Sequence, residues 1–346
     1  MTAHGGSGRR CVSCGERYEA AVLFCPKDGT PTGPERSGSG PDAYLGRVLA
    51  GRFRVERLLG VGAMARVYLA SQLGSAQPVA LKILHPELVS DPAATARLKR
   101  EATIGTRLRH PHLAEVLTQG ILDASAQHPA GEPFIVLEHL DGLSLTSALL
   151  AGGGSLGLVR AVHIALQICA GVGEAHRHGV VHRDLKPDNI MLVRRGADSD
   201  FVKVLDFGMG RAGSDPDFAT REGSVLGTAR YLAPEGAQGG SVGPEGDVYA
   251  LATLLFQCIA GRTPFEGPSA VAILVQQVSA TPPDVRSVGA GRDCPAALAE
   301  LIARNLAKQP LDRAPNADAF GAELSSCFAA GSADASTTAR LLGGQP

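Results

Sequence analysis

Between two apolar runs, the stretch VVHRDLKPDNIML (Val180–Leu192) packs His182, Arg183, Asp184, Lys186, Asp188 and Asn189 into one short polar centre. The apolar flanks predict short strands pinned to a core. The centre then reads as a tight loop whose side chains converge; a solvated charged loop is the bland alternative. A second run, VKVLDFGMG (Val202–Gly210), sets Asp206 after a short apolar strand and before a Gly turn. Asn189 and Asp206 are hard oxygen donors, each adjoining an arm of a predicted β-hairpin. Few such donors, completed by phosphate oxygens and water, suit Mg²⁺. Asp184 is expected to face the same cleft, where a carboxylate can orient a hydroxyl nucleophile and accept its proton. Lys186 places positive charge beside it, where a phosphoryl group in transit would pass.

Two further features fit phosphate chemistry. LLGVGAMARVYLA (Leu58–Ala70) sets Gly60 and Gly62 in a strand-turn-strand, where exposed N–H groups can approach phosphate oxygens. A plain Gly turn explains the pattern equally well. Its strand-to-strand continuation argues against a dinucleotide-binding fold. Lys82 follows in VALKIL, with apolar neighbours on both sides. A buried lysine is rarely tolerated without an anion. Glu101 is the natural internal partner; snorkelling of Lys82 to solvent is the alternative.

These residues need elements to hold them. RFRVERLLG, RVYLASQLG, PVALKIL, AEVLTQGIL and PFIVLEHL read as strands. One helix interrupts them from Asp91, a good N-cap, through Pro92 to Arg109. After Leu140 helical periodicity dominates. LVRAVHIALQICAGVGEAHRHG is one long helix, in which Gly171 and Gly173 each cost about 1 kcal/mol relative to Ala. DVYALATLLFQCIAG is apolar nearly all round, the mark of a helix buried at the centre of a lobe. A small sheet-rich lobe thus precedes a larger helical one, an α+β arrangement, and clefts between such lobes are where small ligands usually bind.

The organisation expected is a Cys-bearing module over 1–29, a flexible Pro/Gly/Ser-rich linker over 30–50 and a patterned domain over 51–328. That domain divides into lobes at 51–139 and 140–328, and a polar tail follows over 329–346. The 346 residues carry a net charge of -1, so nothing steers the whole molecule to nucleic acid or anionic membrane. No signal peptide and no run of about 18 apolar residues is found, so no membrane span is expected. The seven cysteines are uneven, which argues for a reducing compartment and a cytoplasmic place.

The set of motifs resembles the eukaryotic-type (Hanks-type) protein kinases, in particular the bacterial Ser/Thr members. It comprises GVGAMARV, VALK, Glu101, HRDLKPDN, DFG at 206–208, GTARYLAPE at 227–235, Asp247, and Arg313 as partner of Glu235. The match runs over about four fifths of the chain and implies a bilobal protein-kinase fold. The resemblance also implies ATP with Mg²⁺ or Mn²⁺ as cofactors, and the activity of a non-specific serine/threonine protein kinase on protein hydroxyls. Lys82 would hold the α/β-phosphates and pair with Glu101. Asp184 would be the base beside Lys186. Asn189 and Asp206 would hold the metal. Gly60, Val61, Gly62, Val67, Ala80 and Met191 would line the nucleotide, with Leu137 as gatekeeper, Glu138-His139-Leu140 as hinge and Ser144 near the ribose. A pseudokinase scaffold is the alternative; its mark would be loss of Lys82, Asp184, Asn189 or Asp206, and all are present. A small-molecule kinase of related fold would lack Ala233-Pro234-Glu235. Dimerisation is left open.

Two departures stand out. Ala65 replaces the usual third Gly of the loop, which should stiffen it slightly. Gly105 stands where the family prefers a larger apolar residue, so the helix carrying Glu101 is expected to be easily displaced and the resting enzyme partly inactive. Because Arg183 precedes Asp184, activation is expected to need a phosphate between DFG and APE. Thr220 and Ser224 are the leading candidates, Ser214 a third, and Thr228 is expected to bond to Asp184 instead. Finally, Cys11 and Cys14 form a C-x2-C knuckle followed by Cys25 and Asp28. The spacing resembles a zinc ribbon. The fourth Zn²⁺ ligand is open between Asp28 and His4, and a metal-free knuckle is the third possibility.

Overall fold

Alternation decides the first sheet. In FRVE of residues 53–56 the apolar side chains are buried and the charged ones exposed. The computed structural model describes residues 9–11, 17, 18, 22, 32–34, 42–62, 64–75, 77–123, 131–207 and 227–331. Strands β1 (Arg9–Cys11), β2 (Arg17–Tyr18) and β3 (Thr32–Pro34) form a small antiparallel sheet in the order β2-β1-β3. Strands β4 (Val48–Leu49), β5 (Phe53–Val61), β6 (Ala65–Gln72), β7 (Pro78–Leu84), β8 (Val116–Ile121) and β9 (Pro133–Glu138) form a second. Its order is β4-β5-β6-β7-β9-β8.

One face of this sheet is a closed core of Phe53, Val55, Tyr68, Leu81, Ile83, Phe134 and Val136. Helix α1 (Pro92–Arg107) starts where the sequence predicts, with the Ala93 N–H on Asp91 Oδ1 at 2.8 Å. It lays Ala94, Leu98 and Ala102 against Leu84, Val116 and Ile135. These elements belong to one unit, Met1–Arg107 with Glu115–Leu140.

The expected linker over 30–50 is corrected at its second end. Tyr44 and Leu49 are buried in the sheet core, and β4 pairs with β5. The Tyr44 ring meets that of Tyr68 edge-on at 5.6 Å, its hydroxyl donates to Glu132, and the Tyr68 hydroxyl donates to Asp42 at 2.9 Å. Two buried rings and two carboxylates hold a segment whose composition reads as loop.

The second unit comprises Leu108–Ala114 and Asp141–Pro346. Strands β10 (Gly142–Ser144), β11 (Ile190–Arg195) and β12 (Asp198–Val204) form a three-stranded antiparallel sheet. The helices are α2 (Leu145–Ala151), α3 (Leu158–Arg177), the single turn α4 (Pro234–Ala237), α5 (Pro244–Ala260), α6 (Ala270–Ser279), α7 (Ala296–Asn305) and α8 (Ala317–Gly331). Helix α5 is buried on almost every side, as its sequence predicts, and ends at Gly261 in the left-handed region, φ +86°. Helix α3 is long and apolar enough to cross a membrane by length and composition, but 61% of that stretch is buried inside the fold. It is a core helix. Its Gly171 has a packing reason: an added Cβ would meet Leu113 Cδ2 at 2.9 Å and the His112 carbonyl at 3.0 Å.

Candidate active site

On β7, Lys82 pairs across the ladder with Val67 of β6 and Ile135 of β9, while Ala80 pairs with Leu137. Directly opposed residues share a face, so Val67, Ala80, Lys82 and Leu137 look the same way, opposite to the closed core. Val67, Ala80 and Leu137 are half-buried. The result is an apolar strip ending at an ammonium, suited to a flat apolar ligand that carries an anion. Lys82 is 5% exposed and Glu101 3%. Their Nζ–Oε1 separation is 2.7 Å, so the buried lysine has the partner expected. Gly60 pairs with Val67, and an added Cβ there would meet nothing within 4 Å.

In the second unit the polar loop is held from three directions. Arg183 has φ +65°, a left-handed backbone that costs a non-Gly residue about 1–2 kcal/mol. The Asp247 carboxylate offsets this by accepting the N–H groups of His182 and Arg183, each at 2.7 Å. Asp247 is 1% exposed and also accepts from His176 Nε2 at 2.9 Å. Since His176 Nδ1 accepts the Ala317 N–H, the ring is the Nε2–H tautomer. His182 is fixed the same way: Nδ1 accepts from the Asp184 N–H, and Nε2–H donates to the Leu205 carbonyl at 2.9 Å.

Asp184 itself accepts from Lys186 Nζ on both oxygens, at 3.0 and 2.8 Å. Asn189 Nδ2 donates to the Asp184 carbonyl at 2.7 Å and to its Oδ2 at 3.1 Å. That commits the Asn189 amide nitrogen inward. The hairpin register then brings the last residue of the set alongside. Ile190 pairs with Val204, the Leu205 N–H donates to the Asn189 carbonyl at 2.9 Å, and Asp206 follows with φ +57°. The Phe207 ring stacks edge-on against His182 at 4.6 Å. Further along, Arg313 grips Glu235 through two bonds of 2.9 and 2.8 Å and spends its other donors on the carbonyls of Glu245, Ala307 and Lys308.

The second unit thus holds a carboxylate ringed by an ammonium and an amide, with two oxygen donors at the end of one hairpin, and the first holds a buried lysine–glutamate pair. The match of sequence patterns agrees: the model of the protein kinase domain matches residues 53–323. The chain belongs to the protein kinase family. Among kinases of known sequence, it is 39% identical to the serine/threonine-protein kinase pkn3 of Myxococcus xanthus, over 82% of this chain and 51% of that one. It is 36% identical to PknB of Mycobacterium tuberculosis over 80% of this chain and 43% of that one. The chain thus spans about half the length of the curated relatives it matches. The crystal structure of the Mycobacterium tuberculosis PknI kinase domain is similar at a TM-score of 0.61 and 27% identity, covering 82% of this chain and 98% of that one.

Against the expectations for a kinase, several positions differ. Gly105 lies close against β8, where an added Cβ would meet Val116 Cγ2 at 2.2 Å, and the Lys82–Glu101 pair is formed. A larger side chain at 105 would meet the neighbouring valine. Thr228 does not take its bond from Asp184; its hydroxyl is reached by Lys186 Nζ at 3.2 Å, and Lys186 joins the two. Ser144 caps α2, accepting the Ser147 N–H at 3.1 Å, and is the cross-strand partner of Met191. Glu138, expected at the hinge, donates its N–H to the Glu115 carbonyl and accepts the Glu115 N–H on its carboxylate. Val61 and Gly62 are exposed, and His139 and Leu140 half-buried. Sequence reasoning missed His176 and the full reach of Asp247, which only a distant helix reveals. Gly208, Ser214, Thr220, Ser224, His4, Cys14, Cys25 and Asp28 lie outside the described residues; of the zinc candidates Cys11 alone is placed, on β1.

Proposed function

We propose that this chain is a Ser/Thr protein kinase that transfers the γ-phosphoryl group of ATP to protein hydroxyls. The observation that carries the reading is the setting of Asp184, with Lys186 on both its oxygens and Asn189 locked against it one hairpin end from Asp206. Asp184 orients the acceptor hydroxyl and takes its proton as the oxygen–phosphorus bond forms. The bond from that phosphorus to the β,γ-bridging oxygen breaks, and ADP leaves with the electron pair. Lys186, already poised between Asp184 and Thr228, neutralises charge on the group in transit. Lys82, oriented by Glu101, holds phosphate oxygens, and Val67, Ala80 and Leu137 lie against the base, with Gly60, Val61 and Gly62 covering the phosphates; Met191 and Ser144 are the nucleotide-binding candidates of the second unit.

The donor set fits a hard cation. With its nitrogen committed to Asp184, Asn189 would present Oδ1 and Asp206 a carboxylate to Mg²⁺ or Mn²⁺, which would supply positive charge to screen the phosphates. The reading further takes residues 51–328 as the kinase domain and the cytoplasm as its place. It includes autophosphorylation between DFG and APE at Thr220 or Ser224. It takes the segment around Cys11, Cys14 and Cys25, with Asp28 as fourth donor, as a structural zinc module; one zinc per chain by elemental analysis is expected, and none would remove the module. The activity is tested by transfer of label from ATP to protein by the wild type and Asp184→Asn.

A further inference from the structure

In the turn joining β5 to β6, the Gly62 carbonyl is held by a side chain from the far end of β7. His85 follows β7 and precedes Pro86, whose ring restricts it to extended backbone, here φ −58° and ψ 135°. The Leu88 N–H bonds to the His85 carbonyl at 2.9 Å, so a short Pro-led turn fixes it from one side. From the other side the His85 N–H donates to the Met64 carbonyl at 2.8 Å. The ring then reaches the tip of the turn, with Nε2 lying 2.9 Å from the Gly62 carbonyl. A carbonyl only accepts, so Nε2 carries a proton. The turn is closed at its neck by the Gly62 N–H on the Ala65 carbonyl at 2.8 Å. Arg97 also reaches Met64 Sδ from α1 at 3.8 Å, and Ala65 pairs with Leu84 in the ladder, but the Gly62 carbonyl itself is held by His85.

His85 is 8% exposed, and its Nδ1 is buried with no hydrogen-bond partner among the described residues. Leaving a buried ring nitrogen unsatisfied is unfavourable. A leucine or methionine would fill the same space without that penalty, so packing alone does not account for histidine. The bond from Nε2 to Gly62 does.

We propose that His85 is a positioning residue: it holds the Gly60–Gly62 turn at the height from which its N–H groups meet the phosphates of ATP. The inference rests on the kinase reading above. Gln carries its amide nitrogen where His carries Nε2, whereas Asn falls one bond short, so the two amides separate reach from polarity.

The test is steady-state kinetics of the full chain with varied Mg·ATP, alongside calorimetric ATP binding, for wild type, His85→Asn, His85→Gln and Lys82→Met. His85→Asn is expected to raise KM for ATP about five- to tenfold, the worth of one positioned hydrogen bond, with kcat within about twofold. His85→Gln should return KM to near the wild-type value, and thermal unfolding confirms that each variant folds. Equal KM values for the Asn and Gln variants, or a loss confined to kcat, overturn the inference. A wild-type KM in His85→Asn, with ATP binding lost in Lys82→Met, overturns it and leaves the kinase reading standing. Undiminished ATP binding by Lys82→Met removes both.

Discussion

Asp247 shows how much one carboxylate can hold. It accepts from two consecutive backbone N–H groups and from His176 while 1% exposed. An amide in its place has one acceptor atom, and its NH₂ would face a donor. Asp247→Asn therefore leaves at least one buried N–H unpaired, a loss of about 1–3 kcal/mol. It also removes the brace that keeps Arg183 at positive φ. We expect a lower unfolding midpoint in denaturant and a fall in kcat with KM for ATP nearly unchanged, since Lys82 and its strip lie in the other unit; an unchanged midpoint would contradict the brace. At this scale the sequence was most legible where chemistry is local. The spacing of Asp184, Lys186 and Asn189 already placed them on one loop, and the buried Lys82 already demanded Glu101. It was least legible where a partner is distant. Nothing near His176 tells that it meets an aspartate 71 residues on, and nothing in HPEL tells that His85 reaches back to Gly62.

At the scale of elements, the strands and long helices follow from apolar periodicity, while the glycines mislead. Helix propensity counts Gly171 as a weakness and the family pattern counts Gly105 as a gap. Both are close approaches, with the backbone of residue 112 against one and Val116 against the other. Propensity sees only the helix, and the deciding atoms belong to its neighbours. The segment of residues 108–114 that packs on α3 makes a second prediction. His112 donates Nδ1–H to the Val202 carbonyl at 3.0 Å and packs its ring at 4.5 Å from that of Phe201. Burial pushes its pKa below the ordinary value, with His110, Lys203 and Arg195 adding to the fall and the Val202 bond opposing it; burial lowers His110 as well. The unfolded chain then takes up protons near pH 6.5 that the folded chain declines. Stability contributed by these rings is present above about pH 6.5 and is lost as pH falls below it. Denaturant midpoints should drop between pH 7 and pH 5, and His112→Gln should flatten that slope; a slope unchanged by the substitution would contradict the assignment.

For the whole molecule, motif order along the chain spoke for a kinase before any contact was known, because each motif is a short local device whose neighbours in sequence are also its neighbours in space. What composition could not give was the start of the folded domain. Tyr44 and Leu49 follow directly on a run of small and polar residues, and the core they enter marks them as structure. The proposed kinase activity turns on Asp184 taking the proton of a protein hydroxyl while phosphate leaves ATP. Single-turnover transfer of labelled phosphate from Mg·ATP to protein, compared between the wild type and Asp184→Asn, tests it most directly. Asp184→Asn is expected to lower the transfer rate about 10²- to 10⁴-fold, with ATP still bound by the variant. Transfer at the wild-type rate by Asp184→Asn, or no transfer by the wild type, would contradict it.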